Sequence, residues 1–302
     1  MCPPPIPVLL GVLLVVLAGP GLHASPDAVV VFNEIHYNPA GQSEEGEWIE
    51  FFNQMGIKTD VSGWRIEGID YTFPPGTVID PGGYLVVAKA PLAGHYGPFT
   101  GNLENGGERL RLINQSDRLM DEITYGDDGR WPEEADGSGV TLAKRRPYTA
   151  NKPPENWTAA EQVGGTPGAE NFPSPAAGSS VLINEMPSAG EDPFWVELVN
   201  VGASDAELEG MILTAGADPL RRHAIPAQSL AAGARLVLTE TELGFRPLED
   251  EKLFLYDSTE SLVLDGRELT GSLRGRAVAR GGAWLYPDVA TPGTPNTFAF
   301  HD

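Results

Sequence analysis

The segment at residues 125–139 combines carboxylates, glycines and a tryptophan in a short stretch of chain. Calcium takes about six to eight oxygen ligands in flexible geometry, and an indole ring can stack on a sugar. Four of these residues therefore form a candidate calcium or glycan site: Asp127, Asp128, Trp131 and Asp136. Their spacing does not match the helix-flanked calcium loop, and Asp-Gly turns routinely connect strands, so an ordinary connecting loop is the simpler interpretation.

The other reactive residue types show no catalytic or metal-binding pattern. The histidines are His23, His36, His95, His223 and His301, and no two of them are spaced to share a metal ion. The sequence contains no Gly-x-Ser-x-Gly elbow, phosphate-binding loop or dinucleotide fingerprint. Cys2 is the one cysteine, so no disulfide forms within the chain. We therefore expect no catalytic residue, no metal site and no cofactor, and the chain is not expected to be an enzyme.

Length, composition and charge point to two all-β domains with an acidic surface. A chain of 302 residues usually divides into about two domains, each able to bury its own core. Its 36 glycines and 27 prolines favour short strands joined by tight turns. The net charge of −22 repels phosphate groups, so neither a nucleic acid nor an anionic membrane is an expected partner. A solubilising surface explains this charge more simply than a specific cation site.

Residues 1–24 are predicted to be a signal peptide. Residues 8–18 form an uncharged apolar run that is too short to span a bilayer, and Gly-Pro-Gly and the small residue Ala24 follow it. No basic residue precedes this run, which departs from the usual pattern. The prediction is export to the extracellular space or cell envelope, with no membrane association after cleavage. A buried amino-terminal strand is the alternative.

Past residue 28 the chain repeats itself. Each half opens with an apolar strand ending in Asn-Glu and continues with the phrase Trp, aliphatic, Glu, two apolar residues and Asn. Each half closes on Thr-Pro-Gly with an Asn shortly after it. Turn chemistry explains one such turn, since Pro sets φ and Gly accepts a positive φ, but two copies in the same order indicate a duplicated unit. The repeated residues predicted to be structural are Asn33, Glu34, Pro167, Gly168, Asn184, Glu185, Pro292 and Gly293.

Each half is predicted to be an antiparallel β-sandwich of immunoglobulin-like type. About seven strand candidates per half are separated by turn signals, without helical periods between them. Alternation places Leu110 and Leu112 on one face of a half-buried strand. Trp48, Trp64 and Trp195 are expected to anchor the cores. Residues 172–179 have linker composition, which is expected to limit the relative motion of the halves without fixing it.

An ordered series of motifs runs through the first half: Phe-Asn-Glu-Ile (32–35), Glu-Trp-Ile-Glu-Phe-Phe-Asn (47–53), Asp-Val-Ser-Gly-Trp-Arg-Ile (60–66), Asn-Gly-Gly-Glu-Arg-Leu-Arg-Leu (105–112), Asp-Glu-Ile-Thr-Tyr-Gly-Asp (121–127) and Gly-Thr-Pro-Gly-Ala-Glu-Asn (165–171). This series resembles the lamin tail domain as found in secreted bacterial proteins, over residues 28–171. Residues 180–298 look like a diverged second copy. That copy has Leu-Glu-Gly-Met at 208–211 where the family pattern has Leu-Ser-Gly-Trp, and it shows no clear counterpart of residues 121–127.

The resemblance implies a sandwich that needs no disulfide and serves as an interaction module instead of a catalyst. Lamin tail domains of the nuclear lamina contact proteins and DNA, whereas the bacterial ones are exported and occur beside other domains. The leading hypothesis is an exported binding or scaffolding protein whose partner is an extracellular protein or a surface polymer. The alternatives are a calcium-assisted carbohydrate binder and the accessory amino-terminal region of a secreted enzyme, such as a spore-coat kinase-like protein or a hydrolase, with its catalytic domain outside this chain.

Overall fold

The structure is a computed structural model that describes residues 28–298 except 92, 174–178, 217, 219 and 278–281. The described residues form antiparallel β-sheets, which confirms the predicted all-β class. The helical elements among them are short: α1 (Glu240–Leu243) and the 3-10 helices Ala40–Gln42, Glu44–Gly46, Glu133–Ala135 and Pro154–Asn156. Within this part of the chain no helix has the length and apolar character needed to cross a membrane. The predicted signal peptide lies outside the described residues.

The first half, module 1 (residues 28–171), is a two-layer sandwich. Its strands are β1 (Val30–His36), β2 (Trp48–Asn53), β3 (Thr59–Asp60), β4 (Arg65–Glu67), β5 (Tyr71–Thr72), β6 (Val78–Ile79), β7 (Tyr84–Ala88), β8 (Arg109–Ile113), β9 (Leu119–Thr124), β10 (Leu142–Lys144) and β11 (Trp157–Ala159). One sheet has the order β11-β10-β1-β2-β7 and the facing sheet the order β5-β4-β8-β9, while β3 and β6 form a two-stranded ladder.

The second half, module 2 (residues 180–298), repeats this order strand for strand. Its strands are β12 (Val181–Met186), β13 (Trp195–Asn200), β14 (Ala206–Glu207), β15 (Ile212–Ala215), β16 (Arg222–Ala224), β17 (Ser229–Leu230), β18 (Arg235–Thr239), β19 (Lys252–Tyr256), β20 (Val263–Glu268), β21 (Arg274–Ala277) and β22 (Ala283–Leu285). The sheets have the orders β22-β21-β12-β13-β18 and β16-β15-β19-β20, with the ladder β14-β17. Two-residue strands such as β3 and β14 are too short to show alternation, which is why the sequence suggested fewer strands.

Each module buries its own hydrophobic core between its two layers. On β2, Ile49 and Phe51 point into the module 1 core, and Val196 and Leu198 occupy the same places on β13 in module 2. The two clusters share no residue. Side chains alternate along a strand, so the residues between these positions face away from the sandwich core. Those residues on β2 are nevertheless buried, which means that another layer of chain covers the outer face of the sheet.

The tryptophans differ in part from the sequence expectation. Trp64 lies in the module 1 core, whereas Trp48 packs on the outer face of the sheet with Val86 and Ala88. Trp195 is only partly buried, because it occupies the position of Trp48 on the outer face while its neighbour Phe194 enters the core. Trp195 is therefore not the core anchor that the sequence predicted.

The two modules contact each other directly. Residues 161–163 of module 1 add to the free edge of β20: the Val163 amide donates to the Ser261 carbonyl at 2.9 Å, and the Val263 amide donates to the Glu161 carbonyl at 3.1 Å. Val263 and Phe172 also pack against a small apolar cluster of module 1. Phe172 thus belongs to the contact, and residues 174–178 of the expected linker lie outside the described residues.

Charged groups complete this contact. The buried ammonium of Lys252 on β19 pairs with the carboxylates of Asp136 and Asp127, the latter at 3.4 Å. The Arg267 guanidinium on β20 donates to Glu134 at 3.0 Å. The Tyr256 hydroxyl donates to the Ser138 carbonyl at 2.8 Å. The linker, which was expected to limit the relative motion of the modules without fixing it, is therefore not their only restraint, because hydrogen bonds and ion pairs also join them side by side.

The inter-module contact predicts that the substitution Lys252→Met lowers the free energy of unfolding substantially. It leaves the carboxylates of Asp127 and Asp136 without their cation in a largely buried place, and breaking such a pair costs about 3 kcal/mol. The matched control is Lys58→Met, which removes a largely exposed pair with Asp80 and should cost less than about 1 kcal/mol. Urea unfolding of the full chain measures both free energies of unfolding, and equal losses would contradict the assigned role of Lys252.

Candidate functional site

The repeated Asn-Glu pair lies on a β-bulge in each module. The pairing of β1 with β2 shifts register between Phe32 and Glu34, and that of β12 with β13 shifts between Ile183 and Glu185. A bulge inserts one residue and turns the neighbouring side chains. Glu34 and Glu185 are consequently buried completely on the outer face of the five-stranded sheet.

In module 1 the Thr-Pro-Gly turn covers two buried carboxylates. The Thr166 amide lies 3.2 Å from both oxygens of Glu34, and its hydroxyl donates to Oε2 at 2.9 Å. Thr141 donates a further, short bond to Oε1 of Glu34. Two residues on, the Gly168 amide donates to Oε2 of Glu50 at 2.6 Å. The turn thus presents its donors to both acids at once.

The asparagine that follows the turn ties this cover to the sheet. The Asn171 side-chain amide donates to the carbonyls of Asn33 and Lys144 at 3.0 Å each, and its oxygen accepts from Asn33 Nδ2 at 2.8 Å. Asn33 Nδ2 also donates to Oε1 of Glu50 at 2.8 Å. We call the set Asn33, Glu34, Glu50, Thr166, Gly168 and Asn171 clamp 1.

Module 2 builds the same arrangement, clamp 2, from Asn184, Glu185, Glu197, Thr291, Gly293 and Asn296. The Thr291 amide donates to Glu185 at 3.0 and 3.2 Å, and its hydroxyl donates at 3.1 Å. The Gly293 amide donates to Oε2 of Glu197 at 2.5 Å. Asn296 donates to the carbonyls of Asn184 and Arg276 at 3.1 Å each. The repeated turn therefore donates hydrogen bonds to two buried carboxylates in each module.

Glycine is required in both turns. Gly168 and Gly293 have φ values of 84° and 80°, in the left-handed region that other L-residues rarely adopt. At Gly165 a Cβ atom would lie 2.5 Å from Oε1 of Glu34. Gly168 and Gly293 are thus required by the backbone conformation of the turn, and Gly165 by its close approach to Glu34 in module 1.

Burial controls the protonation of the clamp carboxylates. Desolvation raises the pKa of Glu34 against the opposing hydrogen bonds from Thr141 and Thr166. Desolvation also raises the pKa of Glu50 to about 8, and the nearby charge of Glu34 adds to the increase. Burial therefore favours the protonated form of Glu50 near neutral pH.

Clamp 2 differs by one charge. Burial raises the pKa values of Glu185 and Glu197, but the Arg235 guanidinium lies 3.5 Å from Glu197 and opposes the increase. Tyr84 occupies the equivalent position in module 1, because it pairs with β2 as Arg235 pairs with β13. The two clamps thus have the same hydrogen bonds, but only clamp 2 has a cationic side chain at this position beside its buried carboxylates.

A second buried acid is also repeated, which corrects the sequence analysis. Asp121 on β9 accepts from the Phe32 amide at 2.9 Å, and Asp265 on β20 accepts from the Ile183 amide at 2.9 Å. Asp265 is therefore the counterpart that seemed to be missing from module 2. Arg276 donates to its carboxylate at 2.5 Å, where module 1 has Lys144 near Asp121.

Two of the four candidate calcium or glycan residues, Asp127 and Asp136, lie in the inter-module contact. Asp127 and Asp136 face the Lys252 ammonium, and Trp131 packs against the module 1 core. The Asp128 carbonyl accepts from the Trp131 amide, which closes a turn. Across the described residues no three His, Cys, Asp or Glu side chains are grouped to hold a metal ion. Calcium binding remains a prediction, but two of its proposed ligands have a protein cation as partner.

Polar clefts also lie on the surface of module 1. One, of about 340 Å³, is lined by residues that include Glu44, Glu47 and Asn102. Lys89 lies 3.1 Å from Glu44 and 3.8 Å from Glu47. Burial raises the pKa of Glu47 to about 6, and the Leu103 amide donates to it at 2.9 Å. The charged and polar groups of the cleft thus pair with one another.

His36 lies outside this cleft, and burial lowers the pKa of its imidazole to about 4.

The chemistry of the clamps is structural. Each carboxylate oxygen of Glu34 and Glu50 already accepts a hydrogen bond from the chain. The Asn-Glu pairs and the turns were predicted from the sequence to be structural, but their connection with Glu50 and Glu197 was not predicted. The signal for that connection was present, because a Glu follows Trp-aliphatic in both halves.

Comparison with known families bears on module 1. The family model of the Lamin Tail Domain matches residues 23–127. The match runs from before β1 through β9 and supports the assignment of this part of the chain to the lamin tail domain family, an immunoglobulin-like fold. In the structure β10, β11 and the Thr-Pro-Gly turn, which follow the matched residues, complete the same sandwich. No curated protein matches the chain.

Clamp 1 predicts that the stability of the protein depends on pH and that the substitution Glu50→Gln weakens this dependence. Between pH 4.5 and about 8, Glu50 keeps its proton when folded and loses it when unfolded. Stability therefore falls as pH rises through this window, by roughly 1.4 kcal/mol per pKa unit of difference, and levels off above it. Glu50→Gln cannot titrate and should flatten the curve, whereas the exposed control Glu209→Gln should follow the wild type. Urea unfolding from pH 4 to 9 measures this, and an unchanged slope in Glu50→Gln would refute the assignment.

The equivalence of the clamps predicts similar losses for Asn171→Ala and Asn296→Ala. Each substitution leaves two carbonyls and one amide donor without their partner, which costs about 2–4 kcal/mol. Asn102→Ala is the control, since this exposed asparagine only bridges surface groups. Thermal unfolding measures all three. A loss in one clamp only would show that the two turns are not equivalent.

Proposed function

We propose that this chain is an exported, non-catalytic binding or scaffolding protein made of two lamin-tail-like modules. Its proposed partner is an extracellular protein or a surface polymer. The family match over residues 23–127 supports an interaction module, since the lamin tail domain is an immunoglobulin-like domain. The apolar run at residues 8–18 supports export, and the net charge of −22 argues against nucleic acid as the partner.

The observation that carries the proposal is the internal use of the repeated polar residues. In both modules the conspicuous Asn, Glu and Thr residues donate to or accept from one another beneath a turn. A catalytic carboxylate has to face a substrate, whereas these carboxylates face backbone amides. The repeated pattern thus preserves a scaffold, and recognition falls to strand edges and loops, where immunoglobulin-like sandwiches usually bind.

Module 2 is proposed to be a diverged lamin tail domain. Its strands follow those of module 1 in order and pairing, and its clamp repeats the same hydrogen bonds. The Gly210 amide donates to the Ile225 carbonyl at 3.0 Å, as the Gly63 amide donates to Phe73 at 2.9 Å. Met211 thus replaces Trp64 after an equivalent turn.

The inter-module contact suits a scaffolding role. Residues 161–163 and the ion pairs of Lys252 and Arg267 hold the two sandwiches side by side. A partner that touches both modules then meets a preformed surface, and less conformational freedom is lost on binding.

A binding experiment with residues 25–302 tests the proposal. The labelled protein should bind saturably to an envelope preparation from its own source, with an affinity on the order of micromolar, and should not be retained by DNA at physiological salt. Excess unlabelled protein should displace the labelled protein, whereas an unrelated acidic protein at the same concentration should not. Binding that never saturates, or turnover of a substrate in a hydrolase and kinase panel, would contradict the proposal.

A further inference from the structure

The free edge of β18 is unpaired within the part of the chain that the structure describes. β18 is the last strand of the five-stranded sheet of module 2, and its other side pairs with β13. Exposed edge strands present unpaired amides and carbonyls, and folded proteins usually cover them. At another sheet edge of module 2, residues 161–163 pair with residues 261–263, where β20 begins.

Module 1 shows what covers the equivalent edge. The segment at residues 93–100 runs beside β7, and Tyr96 forms a parallel bridge with Val87. The Tyr96 amide donates to the Val86 carbonyl at 2.9 Å, and the Ala88 amide donates to the Tyr96 carbonyl at 2.9 Å. We call residues 93–100 the strap. β7 is therefore hydrogen-bonded on both sides, to β2 and to the strap.

Module 2 has no strap, because its chain leaves the sheet at once. In module 1, residues 89–108 separate β7 from β8, whereas in module 2 only residues 240–251 separate β18 from β19. Helix α1 begins directly after β18, and its Leu243 fills the core without pairing with the strand.

The backbone groups on this edge follow from the register. Val237 lies opposite Glu197 as Val86 lies opposite Glu50, so the amide and carbonyl of Val237 point away from the sheet, as the strap-bound Val86 carbonyl does. Arg235, two residues earlier, has the same orientation. The Thr239 amide is already bound by Glu242 Oε2 at 2.8 Å. The open part of the edge is therefore centred on Leu236, between Arg235 and Val237.

The side chains beside this edge are also less covered than in module 1. Trp48, Val86 and Ala88 form a buried cluster, whereas Trp195 and Val237 are partly exposed and Thr239 is exposed. These residues lie next to the edge on the outer face, so a strand added there would pack an alternate side chain on Trp195 and Val237.

We propose that the edge of β18 binds an extended segment of a partner protein, which adds as a parallel strand, as the strap does on β7, but centred two residues earlier along the strand, on Leu236. The Val237 amide donates to the segment, and the carbonyls of Arg235 and Val237 accept from it. An apolar side chain of the segment packs on Trp195 and Val237. Because the chain carries a net charge of −22, basic residues flanking that apolar position favour binding. This inference rests on the proposed binding function.

The test uses a synthetic peptide of the strap, residues 93–100, and the protein of residues 25–302. We expect saturable binding in the micromolar to millimolar range, slower hydrogen exchange at residues 235–238 and a change in Trp195 fluorescence that is absent in Trp195→Phe. The peptide methylated on the Tyr96 nitrogen should bind at least tenfold more weakly, because that nitrogen donates the backbone bond. Val237→Pro should weaken binding to the same degree, whereas the matched control Val237→Thr should not. Proline is tolerated on edge strands, so Val237→Pro is expected to fold. If it does not fold, the methylated peptide still tests the backbone hydrogen bond, because it leaves the protein unchanged.

Several outcomes would overturn the inference. Absence of saturable binding, equal binding of the methylated peptide, or protection elsewhere on the protein would each do so. A dimer that Val237→Pro dissociates would assign the edge to a second copy of the chain. In the envelope assay, full binding by Val237→Pro would refute the edge as the site while leaving the proposed function intact. Loss of envelope binding by the wild type, with the strap peptide still bound, would refute only the proposed function.

Discussion

The structure depends on the burial of carboxylates beneath a turn. Glu34 and Glu50, like Glu185 and Glu197, lie on the outer face of the larger sheet, away from water. Burying such groups is unfavourable unless donors meet every oxygen. The Thr-Pro-Gly turn provides backbone amides, which every substitution except proline retains, and the following Asn joins the turn to two strands. This need explains the bulge at Asn33, the glycines and the burial of both faces of β2.

The same arrangement in module 2 shows which features the sandwich requires and which can vary. The hydrogen bonds of clamp 2 repeat those of clamp 1, but Arg235 replaces Tyr84 and Arg276 replaces Lys144 beside the buried acids. The strand edges vary most. Module 1 covers β7 with its strap, whereas the described residues leave the equivalent edge of β18 in module 2 open.

The sequence predicted the all-β class and the repetition. The repetition was visible because Asn-Glu, Trp-aliphatic-Glu and Thr-Pro-Gly are short contiguous motifs that can be recognised in both halves. The sequence did not reveal Asp265, since Gly266 and Arg267 stand where Glu122 and Ile123 follow Asp121, and only strand register shows the equivalence. The contact of Lys252 with Asp136 joins residues far apart in the chain, so the loop at 125–139 was interpreted from its own composition. Trp195 was misplaced because a tryptophan in a strand can face either side of a sheet, and local sequence does not say which.

The most direct test of the clamp account is residue-resolved hydrogen exchange of the protein of residues 25–302. The amides of Thr166, Gly168, Thr291 and Gly293 lie in turns outside the named strands, yet each donates to a buried carboxylate. The account predicts that all four exchange as slowly as the strands they cover, whereas the amide of Gly129, in another turn, exchanges rapidly. Rapid exchange at these four amides, at the rate of Gly129, would contradict it.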